Sequence, residues 1–366
     1  MEGSRTNYLM ITIADRAAGA VIGALIGDAL ALGPHWYYDL EELRQAYGDW
    51  ISDYTNPKPG RYHSGMHAGE LDQTGLLIVM LLRSVVENGT YVEEDFTRRV
   101  DEELFPHLDG TPMQGPGGYT SQSIRDAYRR RVQQKKNWKE IGGHADTTEA
   151  AERAIVLAAR YARDPAAAAR LVSEHCALTQ SDEAVVAMST AYNCVLAALI
   201  RGEPLDDNLS DKLMNLVKEG TLPFHAVTAN RLKHPKPGDP DPPRAGKFSS
   251  PDALLTPSFI AEAARDSGIR IEPAWKVSIV YGMPCAIYHQ LPAAYYLAAR
   301  FSNDFESAVL HAINGGGQNM ARACLTGALA GAQVGLAAIP ERFIQGLEGH
   351  DELISLSKRL GELAER

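Results

Sequence analysis

Gly19-Ala20-Val21-Ile22-Gly23-Ala24-Leu25-Ile26-Gly27-Asp28-Ala29-Leu30 repeats glycine at every fourth position and runs straight into a carboxylate. On a helix, residues four apart lie along one side, so the three glycines form a strip without side chains that a second backbone can approach closely. The same spacing returns in Gly327, Gly331 and Gly335, which predicts a second helix with a similar strip. Tight helix packing is the expected role of the glycines themselves. Their neighbours point further, because Asp28 follows one ladder and the polar turn Asn314-Gly315-Gly316-Gly317-Gln318-Asn319 precedes the other. The pattern predicts polar groups gathered at the ends of close-packed helices, where helical bundles place ligand sites.

Outward from these ladders the chain reads as all-α. Alanine-rich stretches at 148–162, 165–175 and 183–200 lack internal glycine and suit helices, while strand-like alternation is scarce. Pro165 after Asp164 fits a first helical turn, and Thr90 with Glu93 predicts a capping box for a helix through Val100. Residues 234–257 hold seven prolines with Gly238, Gly246 and paired serines, which predicts a long surface loop, either a lid or a tolerated insertion, with insertion the favoured reading. No low-complexity spacer divides the remaining sequence, so residues 1–366 are expected to form one compact helical domain.

Composition narrows the function classes. A formal net charge of -10 with no basic run argues against nucleic acid or an anionic membrane as partner and favours a small-molecule or protein-borne ligand. Cys176, Cys194, Cys285 and Cys324 are widely spaced with no Cys-x-x-Cys pair, which fits reduced core thiols. The apolar patch at 8–13 is interrupted by Asp15 and Arg16, so no targeting segment is expected and a cytoplasmic location follows.

Three segments carry candidate chemistry. In the first, Asp28 is followed by Pro34-His35-Trp36-Tyr37-Tyr38-Asp39, where His35 suits proton transfer near neutral pH and Trp36 and Tyr37 suit a wall against a planar or sugar ring. The alternative is a core plug of aromatics, with Asp28 capping a neighbouring helix. The second is His63-Ser64-Gly65-Met66-His67-Ala68-Gly69-Glu70-Leu71-Asp72-Gln73-Thr74 before an apolar helix, where side-chain oxygens cap the helix or hold a cation or phosphate at its positive end. A zinc pair at His63 and His67 is disfavoured by Gly65, Gly69 and the lack of a third ligand. In the third, Gly315, Gly316, Gly317, Gln318, Asn319 and Arg322 offer backbone N–H groups and a cation to a phosphate.

These segments, in this order, resemble the ADP-ribosylglycohydrolase family. The family's Gly-Asp-Ala-Leu motif is seen at Gly27-Asp28-Ala29-Leu30, its Thr-Asp-Asp-Thr motif stands where this chain has Glu70-Leu71-Asp72-Gln73-Thr74, and its Gly-Gly-Asp-Thr-Asp-Thr motif stands at residues 315–320. The resemblance implies an all-helical fold, hydrolysis of a ribosyl glycosidic bond such as that of ADP-ribose, and two magnesium ions. Gly317 and Asn319 stand where the family has aspartates, which lowers magnesium affinity and leaves Glu70, Asp72 and Asn319 as the remaining ligand candidates. In that respect the chain resembles the divergent branch that includes the J1 crystallins. By the resemblance, pyrophosphate or ribose binding falls to residues 315–319 with Arg322, water or metal positioning to Asp28, Asp72 and Glu70, and proton transfer to His35. The alternatives are a binding or structural protein on the same scaffold, or metal-independent chemistry in the same cleft.

Overall fold

The two glycine ladders meet each other. The computed structural model describes residues 11–113, 115–226, 236–238, 245–249 and 252–366. Within it the N-terminal helix Ile13–Ala31 packs along the helix Asn319–Val334 with Gly19 facing Gly331, Gly23 facing Gly327 and Gly27 facing Ala323, so the two run antiparallel. A methyl group on Gly19 would lie 2.5 Å from the Gly331 carbonyl oxygen, and one on Gly23 or Gly27 would strike the carbonyls of Gly327 or Ala323. These are backbone collisions, which no rotamer change relieves. Gly335, expected as a third rung, instead ends its helix with φ +78°, a conformation that suits glycine.

Further helices wrap this pair. Gly361 lets the helix His350–Ala364 approach the Ala14 carbonyl, and the largely apolar helix Glu183–Ile200 is tied in where the Tyr192 hydroxyl donates to the Leu325 carbonyl at 2.8 Å. Among the described residues there is no strand, only isolated β-bridges. The all-α expectation holds throughout. Residues 165–175 and 183–200 lie in the helices Pro165–Ala177 and Glu183–Ile200.

Three local expectations change. The stretch 148–162 breaks into the helices Glu149–Arg153 and Ile155–Arg160, hinged at Ala154. No capping box forms at Thr90, whose hydroxyl is engaged with that of Tyr161 at 2.9 Å; the helix Glu93–Arg99 starts after Val92 without a side-chain cap. The insertion is shorter than 234–257, because the helix Asp252–Arg265 already includes Pro257, at the cost of one backbone N–H. Of the insertion's described residues, 236–238 are exposed, but Phe248 is buried against Phe224 and exchanges backbone hydrogen bonds with Pro223 and His225. Much of this segment lies outside the described residues.

Candidate active site

Antiparallel packing of the ladders brings the C-terminal end of one helix beside the N-terminal turn of the other, and the ionisable groups collect there. Beyond Ala31 the chain turns through Gly33, Pro34 and His35, with Trp36 at φ +61°. A reciprocal backbone clasp then forms: Trp36 N–H donates to the Gly317 carbonyl at 3.2 Å and Gly317 N–H donates to the Tyr37 carbonyl at 2.7 Å. Gly316 and Gly317, at φ +64° and +61°, are glycines because a methyl on either would lie within 2.7 Å of a backbone carbonyl, that of Tyr37 or Met283.

This geometry corrects the expected phosphate cradle. The N–H groups of Gly317 and Gln318 are spent on Tyr37 and Met283, and a side chain on Gly315 would meet the Trp275 carbonyl at 2.8 Å. Arg322 is fully buried behind the turn, donating to the carbonyls of Ala312 at 3.0 Å and Gly316 at 2.6 Å, so it braces the turn from within. Burial pushes its guanidinium down to about 9. Tyr37 is likewise a core residue, stacked beneath Arg61 at 3.7 Å and edge-on to Tyr47. Trp36, by contrast, is a wall, with Tyr62 and Tyr119 edge-on to it at 4.5 Å each.

A cleft of about 90 Å³ opens beside that wall. His35, Trp36, Tyr119, Arg125, Asp72, Thr148, Glu149, Glu152, Cys285 and Gln318 line it. Of the residues expected from sequence, His35, Trp36, Asp72 and Gln318 are therefore brought together. A larger groove of about 330 Å³ between the helices Gln73–Asn88 and His350–Ala364 is mainly aliphatic, with Leu76, Met80 and Leu353, and has none of these carboxylates.

Asp72 and Glu152 line the cleft, with Asp28 close behind them. Asp72 Oδ1 caps the helix Gln73–Asn88, accepting from Thr74 N–H and, at 3.0 Å, from Gly75 N–H, so the expected capping role is real. Asp28 lies beneath, fully buried, accepting Asp72 N–H at 2.9 Å through Oδ2, and Gly75 leaves room for it. It does not line the cleft, so a direct catalytic role is corrected to one of support. Burial and the nearby Asp72 hold its carboxyl well above the usual range. Glu152, buried on the cleft wall, is pushed up to about 8, first by burial and then by Asp72 and Glu149. One turn away, Glu149 is held by an ion pair with the fully buried Arg153 and by the Ser123 hydroxyl at 2.8 Å; Arg153 also bonds the ring and carbonyl of His175. The two glutamates thus sit in opposed environments, one with a proton, one with a cation.

The basic side of the cleft is a chain of rings. His35 Nδ1 meets His63 Nε2 at 2.7 Å, His63 Nδ1 meets the Gly117 carbonyl at 2.9 Å, and His35 Nε2 lies 2.8 Å from Gln318 Oε1, which also accepts from the Trp36 indole. Burial lowers both imidazoles, His35 well below its usual range, so both are neutral at pH 7. His63 therefore belongs to this chain and His67 is exposed, which removes the zinc pair.

Magnesium fails the test of the donor set. Glu70 accepts from His67 N–H, Asp72 spends an oxygen on its helix cap, and Asp28 gives an oxygen to Asp72 N–H. Asn319 is fully buried outside the cleft, with Nδ2 given to the Pro34 carbonyl at 3.0 Å and Oδ1 without a partner among the described residues. Glu70, Asp72 and Asn319 thus do not converge, and no group of three or more His, Cys, Asp or Glu is placed to hold a metal ion among the described residues. The cleft residues missed in the sequence include Glu149, Glu152, Arg125 and Tyr119. A sign of the first two was legible: glutamates three apart within an alanine-rich stretch otherwise suited to burial.

An all-helical domain whose first and late helices close on an acid-lined, aromatic-walled cleft defines the class of protein. The model of the ADP-ribosylglycohydrolase family matches residues 10–366, and the chain belongs to that family. It is 23% identical over 349 residues to an uncharacterized protein of Archaeoglobus fulgidus, covering 95% of this chain and 97% of that one. Among solved structures it is similar to one described as an ADP-ribosylglycohydrolase-related protein complex, with a TM-score of 0.61 and 18% identity over 96% of this chain and 99% of the other. That likeness bears on the fold.

Proposed function

We propose that the chain hydrolyses a ribosyl glycosidic bond in this cleft, without magnesium, using Glu152 as the proton donor. The observation that carries the reading is a buried carboxyl at about 8 on the cleft wall, so that an acid stands ready at neutral pH beside acids in different states. Cleavage of such a bond passes through an oxocarbenium-like state that needs a proton at the leaving atom and a positioned water. Glu152 gives its proton to the leaving atom as the bond to the ribosyl carbon breaks, and water adds to that carbon. Asp72 lies where positive charge on the sugar is stabilised, His35 takes part in proton transfer, and Trp36 and Tyr119 form a surface for the ring. Arg125, whose guanidinium donates to the Thr120 carbonyl at 2.5 Å, gives the cleft a positive group for an anionic part of the ligand.

The size of the cleft bears on the substrate. About 90 Å³ is well below the roughly 300–1,000 Å³ of pockets that enclose drug-sized ligands. It suits the sugar of a small or protein-borne ribosyl substrate, with the remainder lying outside. The test is release of the ribosyl product from ADP-ribosylated peptide and from simple ribosides, followed by mass spectrometry in magnesium and in EDTA. Turnover in EDTA that is lost in Glu152→Gln supports the reading; turnover that requires magnesium, or that survives Glu152→Gln, sinks it.

A further inference from the structure

The groove between the helices Gln73–Asn88 and His350–Ala364 has no part in the ribosyl cleft. Gln73, Leu76, Leu77, Met80 and Arg83 recur at three- and four-residue spacing and so share one face of the first helix. Leu353 faces them from the second. Leu77, Leu104 and Leu353 are buried, whereas Leu76 is 36% exposed. A volume of about 330 Å³ falls within the roughly 300–1,000 Å³ of small-molecule pockets. Gln73 lines this groove and is only 2% exposed. Its Nε2 donates to Thr120 Oγ1 at 3.1 Å, but its Oε1 has no partner among the described residues. A buried amide oxygen left unpaired is costly, and it calls for a donor that the protein does not supply. The charged rim calls for the same thing. Arg83 is held by Glu352, Nε to Oε1 at 2.9 Å and Nη2 to Oε2 at 3.0 Å, while Glu103 and Glu348 pair with no cation among the described residues. The second helix starts at this rim, but Asp351 and Glu352 occupy its first turn, so an anion there would meet carboxylates. Three carboxylates thus line the groove against one committed guanidinium.

We propose that this groove is a second binding site, for a small apolar amine: an aliphatic or aromatic body carrying one protonated nitrogen. The body covers Leu76, Met80 and Leu353, and the N–H groups serve Gln73 Oε1 and the unpaired carboxylates of Glu103 and Glu348. Burial of the apolar body supplies most of the affinity, and the charge supplies the selectivity. A carboxylate on the same body would be repelled, and an alcohol could serve Gln73 but gain nothing from the acids. The site borders the ribosyl cleft through one turn of helix, because Gln73 directly follows the cap Asp72. Its ligand chemistry needs no ribosyl reaction, so the two proposals stand or fall separately.

The test compares three probes of one length, n-octylamine, octan-1-ol and n-octanoate, each below the concentration at which it forms micelles, on the full chain at neutral pH. Calorimetric titration should give saturable one-site binding of octylamine with Kd of about 0.1–1 mM, and methyl NMR should place the shifts at Met80 and Leu353. Octanol should bind at least about fivefold more weakly, and octanoate should not saturate. Leu76→Lys puts a cation on a partly exposed position that the fold tolerates, and it should abolish amine binding. The paired change Glu103→Gln with Glu348→Gln should weaken the amine about 3- to 10-fold, and Gln73→Met, which removes the unpaired oxygen at similar length, should do so to a similar extent. No saturable amine binding, octanol or octanoate bound as tightly as the amine, shifts confined to residues outside the groove, or full affinity in Leu76→Lys would each overturn the proposal.

Discussion

Glu152→Gln keeps the shape of the side chain and removes its titration, so it isolates one buried proton. The carboxyl lies at about 8 in the folded protein against an ordinary 4.5, chiefly because burial penalises the charged form. Below the ordinary value both folded and unfolded chains are protonated, and the folded-state contribution is whole. Between the two values the folded protein keeps a proton that the unfolded chain has released, so stability drains away as pH rises toward and through 8. Linkage with these two values makes the loss between pH 6 and pH 8.5 about 2.5 kcal/mol, out of a ceiling of about 5 kcal/mol at full ionisation. Asp28, whose carboxyl burial also raises, and the buried histidines tilt the curve in both proteins, so the informative quantity is the difference between variant and wild type. Urea unfolding at half-unit steps from pH 6 to 8.5 should find Glu152→Gln gaining on wild type by about 2.5 kcal/mol across that range. In the same proteins, kcat/KM of the wild type should decline above pH 8 and the variant should lose about 10²- to 10⁴-fold at neutral pH. A stability difference that stays flat within about 0.5 kcal/mol would mean that Glu152 is ionised in the native state, and the proton-donor argument would fail with it.

Other consequences are simpler to read. Gly327→Ala drives a methyl into the Gly23 backbone and should destabilise by about 2–3 kcal/mol in urea unfolding, whereas Gly220→Gln meets no neighbouring atom and should cost only about 1 kcal/mol, for a side chain at φ +76°. Arg153→Leu leaves Glu149 buried without its cation and should destabilise by about 3–5 kcal/mol at pH 7, measured by the same unfolding. Ten-millimolar magnesium should shift the melting temperature by less than about 1 °C, since ligand-linked stabilisation grows with saturation and the donor set is dispersed; a rise of several degrees would restore the metal site.

The helical architecture was legible because glycine at every fourth position has one geometric use on a helix, and both ladders have it. That they would face each other was not legible: a strip that admits a backbone does not name the backbone. Aspartate before a helix read correctly as a cap at Asp72, since the rule needs only local sequence. The polar turn at 314–319 misled, because three glycines that present N–H groups to a phosphate and three that accept close main-chain neighbours look the same in sequence. Arg322 misled for a related reason, being one turn into the helix and facing inward, which depends on how the turn sits against Tyr37 and Met283. Glu149 and Glu152 were hidden within the 148–162 stretch; only the tertiary packing sets them on the wall beside Asp72 and leaves one paired and the other protonated.

The interlocked ladders also have a temporal consequence. Gly23 and Gly327 are about 300 residues apart in the chain, so the contact that seats His35 against Gln318 closes one of the longest loops available to this sequence. During synthesis the helix Ile13–Ala31 leaves the ribosome with its bare glycine face and Asp28 exposed, and waits while about 300 further residues are made before its partner strip follows. Helices in between can form and pack first, while the cleft matures only after the residue 319–334 helix has docked. Folding assays on this chain should therefore record helix content early and Trp36 fluorescence, which reports the clasp with Gly317, last.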